Sequence, residues 1–334
     1  VLEDSDGIRD RLGPPYDRYY TVAPIGTGSL IAPDDGISRG LAKLGGIGNT
    51  TAVWLEMMAK GDLEKAILFP TNCLAAGMIR DPDAAVALCR AYNDWLAADF
   101  CAPGRGLVGI ALLPAQDIEE AVKEVRRARE LGLVGVMFTA DGPHLLGHRS
   151  YDSVYQAAAD EGLPVCTHAS GMSLADTHTG AADFPKFIQA HSISHPFGVI
   201  RQFTSMMFEG VFERFPTVRF GFLECGGTWA PWYLDRLDEE FEHRGAEEAP
   251  NLNRMPSSFV YEGGNIFFGC EAEERMLGPT LDIIGKDTVM YASDWPHWDG
   301  DYPNSLWEMQ SRQDLKEDQR AGVLRDAAVR FYGF

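Results

Sequence analysis

The sequence predicts an α/β fold of the (β/α)8 TIM-barrel type, and three observations predict it. Short β-branched or aromatic runs recur from residue 65 onward. Helical patterns fill the gaps between them, the habit of βα units and a parallel sheet. No glycine-rich phosphate loop follows the first run, as a doubly wound open sheet would normally show. The strands are expected at 65–70 (KAILFP), 106–113 (GLVGIALL), 133–139 (LVGVMFT), 164–168 (PVCTH), 218–224 (VRFGFLE), 265–269 (NIFFG) and 288–293 (TVMYAS). Seven runs with helices between them suggest a closed barrel whose first strand is incomplete.

The helices carry their own punctuation. Asp81 and Pro82 offer an N-cap and a proline at the first helical position, ahead of AAVALCRAYNDWLA. Asp117 stands three residues before Glu120, and Ile118, Ala121, Val122, Val125, Ala128 and Leu131 fall on one face before Gly132 stops the helix. Further helices are expected at 151–161, 199–215, 229–242, 273–284 and 316–331. No linker divides the chain, so residues 1–334 read as one domain. Within it, 5–61 is rich in Gly and Pro and reads as an insertion or cap, 171–194 as a lid, and 302–334 as a C-terminal extension with the last helix.

Composition narrows the function. The chain has 334 residues, 45% hydrophobic and 23% charged, with a net charge of −20. Such acidity makes a nucleic-acid backbone or an anionic membrane a poor partner, but it describes solubility and names no substrate; a small-molecule partner is expected from the barrel's site residues. The longest apolar runs are about half the ~20 residues that a membrane span needs. The six cysteines form no CxxC pair, and three lie in strand-like runs, which suits reduced thiols and a cytoplasmic location.

Catalytic residues of a barrel project from the C-terminal ends of its strands. His168 closes PVCTH, Glu224 closes VRFGFLE, Glu271 follows NIFFG, and Asp294 follows VMYAS with Trp295, Pro296 and His297 behind it. His195 precedes the long helix, and Glu3 holds a comparable place if Val1 and Leu2 end a strand. A polar side chain after a buried apolar run costs several kcal/mol, of the order of 2–7, unless it is paired or metal-bound. Each residue alone reads as a strand-end cap satisfied by loop amides. Three of them converging from three strands read as a metal site, because imidazole and carboxylate donors suit Zn, Mn or Fe.

The stretches VCTHAS, GVFERFPTVRFGFLECGGTWAPWYLDRLD and YASDWPHWDG resemble the amidohydrolase-related family, the group that contains metal-dependent aromatic and semialdehyde decarboxylases. The resemblance runs over nearly the whole chain and implies a TIM barrel with a divalent metal. It also implies that His168 and Asp294 are ligands. The family's paired strand-one histidines have no counterpart here, but VLE fits the end of a D-x-H-x-x-E pattern, which places a histidine just before Val1 and makes Glu3 its glutamate. Where the decarboxylases carry a catalytic histidine, this chain has Glu224 in FLECGG.

Glu3, His168, His195, Glu224 and Asp294 thus form a carboxylate-rich set for one or two divalent ions. Two readings follow. The first is a metal-dependent hydrolase or decarboxylase of a small, carboxylated organic substrate, with Asp294 as ligand and proton acceptor and His195 or His297 as proton donor. The second is a dinuclear non-heme iron oxygenase on the same barrel. A barrel that has lost its metal and serves as a scaffold is a third, non-enzymatic reading. Arg201, with Arg149, could pair with a substrate carboxylate, and Trp229, Trp295 and Trp298 could line an apolar pocket, against plain packing or surface roles for each. His144 and His148 read as a solvated turn, His178 and His191 as lid or surface residues, and a Cys166 ligand as unfavoured. A homodimer is expected from the resemblance, with the segment from Tyr302 packing against a neighbour.

Overall fold

The computed structural model describes residues 1–18, 50–101, 104–170, 179–297 and 299–334. Parts of the insertion and lid, with His178 and Trp298, lie outside these. All seven expected strands form: β1 Ala66–Leu68, β2 Leu107–Leu112, β3 Gly135–Thr139, β4 Val165–His168, β5 Phe220–Leu223, β6 Ile266–Cys270 and β7 Val289–Tyr291. They pair in parallel in the order β1 to β7, each with its neighbour in sequence. A doubly wound sheet would reverse direction part-way, so this order is that of a barrel wall. Because every strand points the same way, all seven C-terminal ends lie on one rim.

The helices follow their caps. The Asp81 side chain accepts from the Asp83 amide at the head of helix Pro82–Asp99, and Asp117 accepts from the Glu120 amide at the head of Ile118–Glu130. Ala121, Val125 and Ala128 are buried against the sheet. Phe203, Phe212, Phe222 and Phe268 form an aromatic core beside β5 and β6, with Phe203 and Phe222 edge-on at 4.9 Å. No helix among the described residues is long and apolar enough to cross a membrane.

Two expectations need correction. Within the Gly- and Pro-rich insertion, where no helix was expected, helices Ser5–Leu12 and Thr51–Gly61 form, capped by Asp4 and Thr50. The helix expected at 199–215 begins at Phe187, so much of the expected lid is helix and His195 lies inside it. Pro196 lacks an N–H to donate, yet the helix runs through it, with Ala190 and Ser194 buried on its N-terminal side. The last helix packs on the sheet: the Phe331 ring lies 5.0 Å from Phe267 on β6. A Cβ at Gly221 on β5 would meet Phe331 at 2.6 Å, so the helix seats there only because that position is glycine.

Candidate metal centre

Glu224 directly follows β5, and Asp294 lies three residues past β7. Both have left-handed backbones, with φ of 55° and 48°, and among the described residues they share this with one other non-glycine, Asp62. Such a conformation costs of the order of 1–3 kcal/mol and persists only where the surroundings impose it. Here it turns two strand-end carboxylates toward one point. Donor atoms of Glu224, Asp294 and His297 lie within 4.8 Å of one another. They open on a cavity of about 290 Å³ that Thr71, His191, His195, Glu271 and Asp299 also line.

His297 Nδ1 lies 2.7 Å from Asp294 Oδ1 and 3.7 Å from Glu224 Oε1, while its Nε2 lies 3.0 Å from Thr71 Oγ1. The His297 amide donates to the Asp294 carbonyl at 2.8 Å, which folds the ring back over the carboxylate. Burial pulls this imidazole down, but Asp294 and Glu224 outweigh it and raise its pKa to about 9. Burial likewise pushes Glu224 up, and His168, His195 and His297 reverse this, lowering it to about 2. Desolvation, with Asp294 nearby, lifts Glu271 and Asp299 to about 7.

The buried His168 ring stacks on Phe69 at 5.2 Å. Its Nδ1 lies 2.9 Å from both the Ala169 carbonyl and Glu224 Oε2. One N–H cannot point at both, so the buried Glu224 Oε2 meets His168 as an ion pair and gains no well-directed hydrogen bond. His168 therefore meets the cluster through Glu224. His195 lies 3.0 Å from Ser194 Oγ through Nδ1 and packs against His191, with ring centroids 4.4 Å apart. Burial lowers the pKa of both, that of His191 to about 4.

The site differs from the sequence reading in several respects. Glu3 is buried, but its oxygens accept the amides of Thr71, Asn72 and Cys73 at 2.9–3.0 Å. It orders the turn after β1 rather than joining the cluster. His297, placed among the catalytic rather than the metal-binding residues, stands among the converging donors. Arg201 does not line the cavity: it donates to the Ala140 carbonyl at 3.2 Å and lies 3.8 Å from Asp141. Trp229 packs edge-on against Phe203 and Phe268 and donates to the Gly226 carbonyl at 2.9 Å. Trp295 meets Trp54 of the cap at 4.6 Å. Large aromatic surface is better satisfied by that packing than by an open, carboxylate-lined cavity. His144 and His148 stack on each other at the surface, as a solvated turn would.

Thr71, Glu274 and Asp299 were missed by sequence reasoning. Thr71 follows the KAILFP run, so the strand-end rule that selected Glu224 would also have found it. Asp299 shares the DWPHWDG run with Asp294.

The donor set, carboxylate oxygens and imidazole with one buried oxygen lacking a hydrogen bond, fits a divalent cation such as manganese or zinc. Residues 47–334 match the model of the amidohydrolase family Amidohydro_2. The chain belongs to the amidohydrolase family. It is 24% identical over 288 residues to a 2-amino-3-carboxymuconate-6-semialdehyde decarboxylase of Dictyostelium discoideum, covering 84% of this chain and 76% of that protein. The fold is shared with the 5-carboxyvanillate decarboxylase of Sphingomonas paucimobilis, with a TM-score of 0.76 and 19% identity over 100% of this chain and 97% of that one. It is shared too with a dihydroxybenzoic acid decarboxylase of Polaromonas sp. JS666 solved with manganese and 2-nitroresorcinol, with a TM-score of 0.72 and 18% identity over 88% and 90%.

Proposed function

We propose that this amidohydrolase-family chain is a metal-dependent decarboxylase of a small carboxylated substrate, aromatic or enoic, on a (β/α)8 barrel formed by residues 1–334, with 5–61 as cap and 171–194 as lid. The observation that carries the reading is the convergence of Glu224, Asp294 and His297 on one cavity, in a chain whose named relatives are decarboxylases. Glu224 and Asp294 would hold the ion, with His168, which reaches Glu224, and His195 on the cavity wall as further nitrogen donors. When bound, the cation supplies positive charge that steadies the substrate carboxylate.

Loss of carbon dioxide leaves the electron pair of the broken C–C bond on the substrate carbon, which must then take up a proton. His297 suits that step: Asp294, 2.7 Å away, keeps it protonated at neutral pH, and it lies on the cavity. Asp294 steadies the imidazolium before transfer, and the neutral imidazole left afterwards regains a proton from solvent. His195, its pKa lowered by burial, is neutral at pH 7 and suits a ligand better than a donor. Glu271 and Asp299, raised to about 7, add less negative charge to the cavity than their number suggests.

Free thiols at all six cysteines support a cytoplasmic location, and exposed Trp232 and Ile188 support a homodimer, to be checked by sedimentation. The deciding experiment is elemental analysis with carbon dioxide release from a panel of hydroxylated benzoates, run with and without oxygen. One manganese or zinc with oxygen-independent release is expected. Oxygen uptake with two irons, or hydrolysis without carbon dioxide, would overturn the reading.

A further inference from the structure

We propose that Glu274 is a positioning residue, whose carboxylate clamps the loop after β5 to the loop after β6 and thereby holds Glu224 in its metal-binding conformation. The inference rests on the metal reading above. Glu274 Oε2 accepts the amides of Gly227 at 3.0 Å and Thr228 at 2.9 Å. Oε1 accepts the amide of Glu271 at 2.9 Å and that of Gly227 at 3.3 Å. One side chain thus fixes three backbone amides on two loops, both of which reach the cavity rim.

The ECGG run is shaped for this contact. A Cβ at Gly226 would lie 3.2 Å from Glu274 Oε2, and its φ of +69° is one that side chains rarely adopt. Glycine there lets the loop fold down onto the carboxylate, two residues beyond the left-handed Glu224. On the other side, Trp229 Nε1 donates to the Gly226 carbonyl at 2.9 Å. Amides held by Glu274 and a carbonyl held by Trp229 leave the segment 226–229 little freedom. A strained residue directly before a fixed segment keeps its strain, whereas the same residue before a loose one relaxes. Released, Glu224 would return to an ordinary backbone and turn its carboxylate away from Asp294 and His297. Charge-assisted hydrogen bonds from an outer residue to the backbone carrying a ligand are the kind of support whose loss weakens metal sites by about 10–100-fold.

The test is manganese affinity, read by spin-resonance titration of the free ion, together with hydrogen–deuterium exchange at Gly227, Thr228 and Glu271. Glu274→Ala should weaken manganese binding about 10–100-fold and accelerate exchange at all three amides. Glu274→Gln, which keeps an acceptor oxygen and the side-chain volume, should recover most of both. A structural residue of no consequence to the site would change stability but not affinity at a temperature where the variant is folded. Glu274→Ala with wild-type affinity, Glu274→Gln as weak as Glu274→Ala, or unprotected amides in the wild type would each overturn the proposal. Glu224→Gln separates this failure from that of the parent reading: if it too binds manganese as the wild type does, the metal reading itself falls. If it loses manganese while Glu274→Ala keeps it, only the clamp falls.

Discussion

Two buried carboxylates, Glu124 and Glu224, show how differently one fold treats the same chemical group. Glu124 lies between helices Pro82–Asp99 and Ile118–Glu130 and is saturated. Its Oε1 accepts from Asn93 and Arg127 at 2.6 Å each, and its Oε2 from Arg127 Nε at 2.9 Å. Asn93 in turn exchanges hydrogen bonds with both backbone groups of Leu112 on β2. Glu224 sits on a left-handed backbone, faces three histidines and keeps one oxygen without a hydrogen bond. The first network ties two helices to a strand and does not line the cavity at the strand ends. The second spends backbone strain and leaves a buried group unsatisfied, which is sustained where a ligand completes the site.

Replacing each carboxylate should therefore give contrasting phenotypes. The largest expected effect is on activity. Glu224→Gln should lower kcat by about 10²–10³-fold, more than the loss of an outer residue costs, and should also lower the melting temperature of the metal-free protein, because His168 and His297 lose the carboxylate that faces them. Carbon dioxide release and calorimetry read the two sides. Retained activity would break the contrast. Glu124→Ala should instead cost about 3 kcal/mol, since Asn93 and Arg127 both lose the buried carboxylate that accepts from them. Urea denaturation measures it, and kcat per folded molecule should stay at the wild-type value; a fall in kcat would mean that the helix network reaches the site.

The smallest effect is the pH response of the metal-free protein. His297 is raised from 6.5 to about 9, so its contribution to stability is full below pH 6.5 and is lost as pH rises through 9. Glu271 and Asp299 are raised to about 7, so theirs is full below their ordinary values of 4.5 and 3.8 and is lost as pH rises through 7. His191 and His195, both lowered, act in the opposite sense below pH 6.5 and offset the two carboxyls there. The net prediction is a melting temperature that declines by a few degrees from pH 6.5 to 9, and a flatter profile with saturating manganese, whose charge offsets the carboxylates. A metal-free profile level across that window would show that the site does not carry its charges as described.

Much of the wall of this molecule was legible in the sequence. Runs such as LVGVMFT and PVCTH become β3 and β4 because β-branched and aromatic side chains suit a strand buried on both faces. Asp81 and Asp117 cap the helices that their spacing announces. His168, Glu224 and Asp294 were found by one rule, that polar residues ending buried strands of a barrel gather on a single rim. The rule failed where a side chain's partner is remote. Glu3 looked like another strand-end ligand, yet three amides some 68–70 residues away hold it. Arg201 and Trp229 carry chemistry suited to a substrate, and the fold uses both to fasten its own backbone.

What the sequence by itself determined is therefore the local and the periodic: seven strands, their flanking helices, and the residues at the strand ends. Tertiary structure alone decided which of those residues face one another. His297 meets Thr71 across 226 positions, and Glu274 grips amides 46 and 47 residues away. The physical reason is one of range. Backbone preference and burial pattern are set within a few residues, whereas the partner of a hydrogen bond or the neighbour of a charge exists only once distant segments have been packed to within about 3 Å.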